Sequence, residues 1–329
     1  MKLATISHSH IARRQQLFFE EIAKQGHQVL MISPGEWYGL KTENYGRLFP
    51  GDNGVFSLRT CKHMGDNVYT YRLLGSKDLV EEFSPDWLYV QAEPGSVLAR
   101  EALLWKVDKR ALFTWENIDI KGDGFQQLQK YNLVICGNPD AVELVTPHND
   151  KTALMLQVGV ETDHFSARPG IPRDVEVGYI GRPAPEKGLP YLIRAYPTVK
   201  VLEWADFLQL PWNYSRIKII VAFSQDTPQW REQAPNYVTL EALSCGCKVV
   251  VSDTAAMKYW LGDYPGVVVV EGHDQPNDNL VMDRIEKLKT GIRYALDMEL
   301  PEDEGRQVII DNFSNVVVAR KLLEVFENA

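Results

Sequence analysis

The sequence has little cysteine, no long apolar run and no excess of positive charge, and each absence excludes a class of protein. Four cysteines in 329 residues are too few and too scattered for a disulfide framework. No apolar stretch approaches the roughly 18 residues that cross a bilayer. The formal net charge of -9 argues against a broad nucleic-acid-binding surface. We therefore expect a cytoplasmic protein with no transmembrane segment and no nucleic-acid partner.

Two local features qualify this expectation. The basic pair Arg13-Arg14 leaves a peripheral membrane contact open. Cys245 and Cys247 flank one glycine, but no second ligand pair follows at zinc spacing, so the sequence predicts packing cysteines and no metal site. The segment MKLATIS at the start has the pattern of a first β-strand and lacks the long apolar run of a signal peptide.

Short apolar segments alternate with helical ones along most of the chain. The strand 2–7, the helix 11–25 and the strand 27–33 form a βαβ unit, which opens a parallel sheet. The alternation continues to residue 156, is interrupted by a Pro- and Gly-containing linker at 166–173, and restarts at Val175. This pattern predicts an α/β protein with two doubly wound, Rossmann-like domains, residues 1–165 and 166–310, followed by a terminal helix within 311–329.

The segment 34–66 interrupts the alternation and predicts a long loop, with or without a short strand pair, because it is rich in Gly, Asn and Pro. Its aromatic residues would either stack on a sugar or a lipid or pack the loop onto the sheet; they are Trp37, Tyr38, Tyr45 and Phe56. Further along, the pattern predicts a strand over 68–73 and a helix over 204–208.

A candidate anion site follows the first strand of the second domain. The apolar run ending at Ile180 leads into Gly181-Arg182-Pro183-Ala184-Pro185-Glu186-Lys187-Gly188, and a helical segment begins at Leu189. Backbone N–H groups at a helix N-terminus, together with fixed cations, bind phosphate. An ordinary turn with two solvated cations is the alternative that this local pattern leaves open.

Four ordered stretches resemble the retaining glycosyltransferases of the GT-B fold, in the large family 4 group. The helix end 22–29 resembles "LaxxGHeV", the junction 158–165 resembles "PNGVDtxxF", and the turn 181–188 resembles "GRxxxEKG". The stretch 237–253 resembles the donor helix and the following strand, "GLxxLEAMACGxPVVxSD". The resemblance covers the chain but is strong only over about residues 155–255, and it implies two Rossmann-like domains facing across a cleft.

The resemblance implies transfer of a sugar from a nucleoside-diphosphate sugar to an acceptor hydroxyl, with retention of configuration. Arg182 and Lys187 would then stabilise the charge that grows on the leaving diphosphate. Glu241, at the start of its helix, would accept hydrogen bonds from ribose hydroxyls, or would only interact favourably with the helix dipole. Gly181 and the amides of Asn236, Tyr237 and Val238 would bind the donor. The acceptor would be a glycan, a lipid-linked sugar or a protein.

The same resemblance implies that no cofactor is needed beyond the donor substrate. No Asp-x-Asp occurs in the sequence, which argues against the metal-dependent GT-A type. Arg and Lys would neutralise the diphosphate in place of a divalent ion. The terminal helix 315–327 resembles the family's last helix, which crosses back to the first domain.

Several positions depart from the family pattern. The family has two glutamates eight positions apart. If Glu241 is the second, Gln233 occupies the position of the first, and Glu232, one residue earlier, is the alternative. Ser7-His8-Ser9-His10 replaces a Gly-rich loop, so His8, His10 and the nearby Arg13 would contact acceptor or phosphate, or would serve capping and packing.

Two further departures concern the sugar and the base. Glu116 or Asn117 would stand in for a His-Asp pair near the donor sugar, or Glu116 is a salt-bridged loop carboxylate. The interval from Lys187 to Glu241 is short enough to lose about one βα unit, which predicts a trimmed second sheet.

Two functions therefore remain, an active transferase and a degenerate GT-B protein that binds a nucleotide sugar or a catalytic partner without transfer. An epimerase or phosphorylase-like enzyme on the same architecture is a weaker third, because fold alone does not decide chemistry.

Overall fold

Two α/β units make up the chain. The computed structural model describes residues 1–38, 40–41, 55–119, 124–202, 206–227, 230–262, 264–271, 278–301 and 303–329. The first unit contains Met1–Gly159 and Val318–Ala329, and the second contains Val160–Val317.

The strands of the first unit are β1 (Lys2–Ile6), β2 (Gln28–Pro34), β3 (Glu36–Trp37), β4 (Leu40–Lys41), β5 (Phe56–Cys61), β6 (His63–Met64), β7 (Arg72–Leu73), β8 (Trp87–Gln91), β9 (Lys109–Thr114), β10 (Leu133–Cys136) and β11 (Thr152–Leu154). Among the described residues, seven of them form one parallel sheet of order β11-β10-β9-β8-β1-β2-β5. The other four form two short antiparallel pairs, β3 with β4 and β6 with β7. The central strands are continuous apolar runs because both faces of a parallel sheet are covered.

Helices cover both faces of this sheet. They are α1 (Arg13–Lys24), α2 (Ser76–Phe83), α3 (Val97–Ala102) and α4 (Pro139–Val145), with 3-10 segments at His8–Ile11 and Gly124–Lys130. On one face, Leu3 and Tyr89 pack with Phe18, Phe19 and Phe326, so the final helix of the chain completes this core. On the other face, residues such as Ile6 and Val90 pack with α3 and α4.

The short strand pair that the sequence left open for 34–66 is present as β3 with β4. The segment also contains β5, a strand of the main sheet that the sequence did not predict. Phe56–Cys61 pairs in parallel with β2, with Val29 opposite Phe56. Phe56, Ser57 and Leu58 are buried and Thr60 is exposed, so the apolar–polar alternation of the sequence is not matched by a strict alternation of burial. The predicted strand 68–73 is reduced to Arg72–Leu73. Residues 39 and 42–54, including Tyr45, lie outside the described residues.

The second unit has a smaller parallel sheet of order β13-β12-β14-β15-β16, five strands in its described part. The strands are β12 (Val175–Ile180), β13 (Lys200–Leu202), β14 (Ile217–Ala222), β15 (Lys248–Ser252) and β16 (Val267–Val270). The helices are α5 (Leu189–Ala195), α6 (Leu210–Arg216), α7 (Tyr237–Ser244), α8 (Ala255–Leu261), α9 (Asp278–Asp297), α10 (Glu304–Phe313) and α11 (Asn315–Glu327), with a 3-10 turn at Pro185–Lys187. The trimmed second sheet predicted from the sequence is confirmed.

The helix predicted over 204–208 is displaced. The helix before β14 is Leu210–Arg216, whose Leu210 and Tyr214 are buried, while Leu208 is 53% exposed. The apolar side of this segment therefore begins later than the pattern indicated. Residues 203–205 lie outside the described residues.

The boundary between the units falls between Gly159 and Val160, whereas the sequence placed it at residue 165. Val160 belongs to the second unit because its N–H donates to Phe313 O at 2.8 Å and its carbonyl accepts from Asn315 N–H at 2.9 Å. Arg306 secures the following residues, since its guanidinium donates to Thr162 O at 3.0 Å and to Phe165 O at 2.8 Å. The last helix begins in the second unit, and from Val318 its residues belong to the first.

Candidate functional site

The turn between β12 and α5 has a backbone that favours glycine at two positions. Gly181 has φ +148° and Gly188 has φ +69°. A Cβ at Gly188 would also lie 1.9 Å from Phe223 O, so the turn packs directly on the segment that follows β14. Tyr179 donates its hydroxyl to Arg182 O at 2.6 Å, and burial raises the pKa of Tyr179 to about 12, so the phenol stays a donor.

Each cation of this turn has a carboxylate partner in the second unit. Arg182 Nη2 lies 2.7 Å from Glu186 Oε1, and the Arg182 side chain is 63% exposed. Lys187 Nζ lies 2.9 Å from Glu232 Oε2, with the two side chains 26% and 8% exposed. An exposed pair such as Arg182–Glu186 contributes about 0–1 kcal/mol, so its guanidinium can change partners at little cost.

Glu232 is held by more than the lysine. Ser224 Oγ donates to the same oxygen, Oε2, at 2.5 Å, and Glu232 N–H donates to Asp226 Oδ1 at 2.9 Å. Gln233, the residue that the sequence favoured for the first-glutamate role, is half-buried. The structure thus brings Glu232, not Gln233, into contact with Lys187.

The buried side chain of Arg284 is linked to this turn through Gln225. Gln225 N–H donates to Glu186 O at 2.8 Å, and the Gln225 side chain accepts from Arg284 Nη1 at 3.1 Å. Arg284 comes from α9, is 5% exposed, and lies over the ring of Tyr191 in α5, 6.0 Å from its centroid. These contacts therefore connect the segment after β14, the turn that contains Glu186, and the helices α5 and α9.

Helix α7 begins with a side-chain cap. Asn236 Oδ1 accepts from Thr239 N–H at 3.1 Å, which satisfies one of the free amides of the first turn. Tyr237 and Val238, the next two residues, are half-buried. The Asn236 side chain is thus committed to the helix.

Glu241 lies in the second turn of α7, not at its start, and this corrects the predicted position. The helix begins at Tyr237, and the Glu241 side chain is completely buried. Tyr214 Oη, itself buried, donates to Glu241 Oε2 at 3.1 Å. A helix-dipole interaction at the N-terminus does not explain this carboxylate, because that effect is confined to the first turn.

In the first unit, His10 lies inside the protein. It is 0% exposed, its Nδ1 lies 2.9 Å from Ile32 O, and its Nε2 lies 3.3 Å from Thr5 Oγ1. Because a carbonyl only accepts, Nδ1 carries the proton and Nε2 accepts from the threonine. Burial lowers the pKa of His10 to about 3, so the ring is neutral at pH 7. Its ring packs edge-on against Phe19, with centroids 5.2 Å apart.

His8 and Arg13 lie nearer the surface. The His8 ring contacts Trp37 and Tyr71, with centroid distances of 5.1 and 5.3 Å, and burial lowers its pKa to about 4. Trp37 is buried while Tyr38 is 70% exposed, so the aromatic residues before residue 39 are divided between packing and solvent. Arg13 Nη1 lies 3.6 Å from Glu20 Oε1.

Glu116 is part of a cluster that the sequence did not reveal in full. Its carboxylate accepts from Tyr69 Oη at 2.8 Å, and its N–H donates to Thr114 Oγ1 at 2.9 Å. Thr114 donates in turn to Glu93 Oε2 at 2.5 Å. Burial, and then the charge of Glu116, raise the pKa of Glu93 to about 7. Glu93 follows β8 as Glu116 follows β9, and this shared position at the carboxyl ends of adjacent strands was the available signal.

The described residues contain no group of three His, Cys, Asp or Glu side chains placed to hold a metal ion. None of the helices in the described part of the chain is long and apolar enough to cross a membrane.

Solved structures share this architecture over essentially the whole chain. Sucrose-phosphate synthase from Thermosynechococcus elongatus superposes with a TM-score of 0.71 at 13% identity, covering 100% of this chain and 98% of the other. The chain has the GT-B fold. HepE from Anabaena, in complex with UDP-glucose, has a TM-score of 0.66 at 14% identity and full coverage of both chains, 100% each. A glycosyltransferase from Rickettsia africae has a TM-score of 0.66 at 15% identity, covering 99% and 97%.

These likenesses establish the fold, and identity this low establishes no more. No protein-family model matches the sequence, and no curated protein matches it. The predicted α/β fold class with two Rossmann-like units is confirmed.

Proposed function

We propose that this protein is a retaining glycosyltransferase of the family 4 type, which transfers a sugar from a nucleoside-diphosphate sugar to an acceptor hydroxyl without a metal ion. The observation that carries the proposal is the turn 181–188, with Arg182 and Lys187 beside the loop that precedes α7. The GT-B fold and the motif order support it. HepE, which has the same fold, was solved with UDP-glucose, so UDP sugars are the first donors to test.

In the proposed complex the diphosphate takes the place of the two carboxylates. Arg182 leaves Glu186 and Lys187 leaves Glu232, so both cations face the leaving group as its charge grows. The N–H groups of Tyr237 and Val238 add donors, because the first turn of a helix has free amides. Arg and Lys then do the work of a metal ion.

Gln233 is the residue that we propose to contact the donor sugar. Glu232 is committed to Lys187 and Ser224, whereas Gln233 is next to it and half-buried. Its amide hydrogen-bonds sugar hydroxyls but lacks the negative charge that stabilises a cationic anomeric carbon. For Glu116 we keep the catalytic role near the donor sugar that the resemblance implies. The loop with His8 and Arg13 also belongs to the first unit, for which we propose recognition of the acceptor, a glycan, a lipid-linked sugar or a protein.

A second function, binding of a nucleotide sugar without transfer, is favoured by two observations. Position 233 is a glutamine, and Glu241 is completely buried with Tyr214 donating to it. Because Glu241 is completely buried, ribose hydroxyls reach it only if this part of the second unit opens. Hydrolysis of the donor without acceptor distinguishes the two, since only a transferase cleaves it.

A thermal-shift screen with UDP-, GDP-, ADP- and dTDP-glucose tests the proposal. The matching donor should raise Tm, because saturation at about 100 times Kd stabilises the folded state by about 2.7 kcal/mol. Lys187→Met should abolish the shift and lower turnover about 100-fold, as loss of one charge-stabilising donor does elsewhere. Gln233→Ala should lower turnover while the nucleotide alone still binds. Lys200→Met, at an exposed lysine of the same unit, is the control.

The proposal fails if none of these nucleotide sugars shifts Tm. If a donor binds but Lys187→Met behaves like the Lys200→Met control, the role proposed for Lys187 is wrong. Binding without hydrolysis or transfer would select the second function.

A further inference from the structure

In the second unit, the ring of Trp230 lies close to the ammonium of Lys187. The Nζ of Lys187 is 4.7 Å from the ring centroid of Trp230, and it also donates to Glu232 Oε2 at 2.9 Å. The ammonium therefore contacts both a carboxylate and an indole face. Lysine has a flexible four-carbon stem, so two such contacts restrict where its charge can lie.

The backbone holds Trp230 independently of Lys187. Trp230 N–H donates to Thr227 Oγ1 at 3.0 Å, and Thr227 N–H donates to Trp230 O at 2.7 Å. Two residues further, Glu232 N–H donates to Asp226 Oδ1 at 2.9 Å. Ring and carboxylate are thus carried by one segment that is tied to the residues after β14. These hydrogen bonds hold the backbone of the segment without any contribution from the lysine.

The two contacts respond differently when an anion arrives. A diphosphate competes directly with Glu232 for the N–H donors of Lys187, because both are hydrogen-bond acceptors. The indole face attracts the cation through its quadrupole and uses no N–H donor, so this contact can persist while the ammonium binds phosphate oxygen. The Lys187 side chain is 26% exposed, so solvent or a ligand can reach it.

We propose that Trp230 is a positioning residue, which keeps the ammonium of Lys187 directed at the nucleoside diphosphate when Glu232 releases it. This inference rests on the function proposed above and extends it to a residue outside the motifs that suggested it. Trp230 contributes by limiting the positions of Lys187, and the diphosphate is the ligand that gains. Direct stacking of Trp230 on the sugar or the base of the donor is the competing explanation.

A double-mutant cycle separates the two explanations. Calorimetric Kd values for UDP would be compared among wild type, Trp230→Leu, Trp230→Phe, Lys187→Met and the double variant Lys187→Met/Trp230→Leu. We expect Trp230→Leu to weaken binding about tenfold, as for loss of a partly desolvated cation–π contact. Trp230→Phe should recover most of the affinity, because a phenyl face also attracts a cation. In the Lys187→Met background, Trp230→Leu should have no further effect.

Trp212→Leu is the matched control, because Trp212 is 52% exposed in the same unit. A second measurement does not need the nucleotide. Reductive ¹³C-methylation of the lysines should give a Lys187 methyl signal shifted upfield by the indole ring, identified by its loss in Lys187→Met. That shift should disappear in Trp230→Leu and persist in Trp212→Leu.

The outcomes distinguish the inference from the function on which it rests. If Lys187→Met weakens UDP binding but Trp230→Leu does not, the positioning role is wrong and the function stands. If Trp230→Leu weakens binding equally with and without Lys187, Trp230 contacts the ligand itself and the inference is also wrong. A wild-type protein that binds neither UDP nor GDP nor ADP would overturn both.

Discussion

Acidification should destabilise the first unit through His10, which the sequence had left between a ligand-binding and a packing role. Burial lowers the pKa of His10 from 6.5 to about 3, so the unfolded chain takes up the proton first. The stability that depends on a neutral ring is therefore present above pH 6.5 and is lost as the pH falls toward 3. Each pH unit below 6.5 costs about 1.4 kcal/mol, which gives about 2 kcal/mol at pH 5.0.

His8 adds to the loss in the wild type, since burial lowers its pKa to about 4 as well. A variant therefore has to isolate His10. In His10→Asn the amide can still donate to Ile32 O but does not titrate. Urea denaturation at pH 7.5 and pH 5.0, followed by tryptophan fluorescence, should show the wild type losing about 2 kcal/mol more than the variant across this interval.

The exposed His148 provides the control, and His148→Asn should lose as much stability as the wild type does. The reasoning is refuted if wild type and His10→Asn lose the same free energy between the two pH values. That result would mean that the imidazole can be protonated without unfolding, and hence that it reaches solvent or a ligand.

Two further predictions concern packing around the site and the end of the chain. Gly188→Ala should destabilise the second unit by more than about 3 kcal/mol, because its Cβ would lie 1.9 Å from Phe223 O. Gly170→Ala, at a similar φ of +78° with nothing within 4 Å, should cost only about 1–2 kcal/mol; equal costs would contradict the overlap. Phe326→Ala should cost about 3–5 kcal/mol, since Phe326 is 2% exposed in the core of the first unit. Val316→Ala, at a position 54% exposed, should change stability by less than about 0.5 kcal/mol in the same urea denaturation assay, and a similar loss in both would show that the last helix does not stabilise that core.

Much of the fold could be predicted because parallel sheets leave a strong pattern. Strands such as Val29–Ile32 and Val249–Val251 are buried on both faces and are therefore continuous apolar runs. The edge strand Phe56–Cys61 was missed because its short alternating pattern sits among loop-forming residues. The helix Leu210–Arg216 was misplaced because burial of Tyr214 against Glu241 depends on a residue far along the chain.

Of the candidate site, sequence motifs identified Arg182, Lys187 and Glu241 as residues but not their partners. Glu232 was only the alternative to Gln233, and nothing in the local sequence pairs it with Lys187. Glu93 was missed because its link to Glu116 runs through Thr114 of the neighbouring strand. The catalytic and donor-binding roles stay predictions until nucleotide binding is measured.

By itself, the sequence determined the periodicity of the elements, the glycines that the turn 181–188 requires, and the division into two α/β units. These features depend on residues close together in the chain, where steric and solvation preferences are local. Only the tertiary structure decided that His10 is neutral and enclosed, that Tyr214 donates to the buried Glu241, and that Lys187 contacts both Glu232 and Trp230. Burial and charge pairing belong to contacts between distant segments, and no local pattern specifies which distant residue arrives.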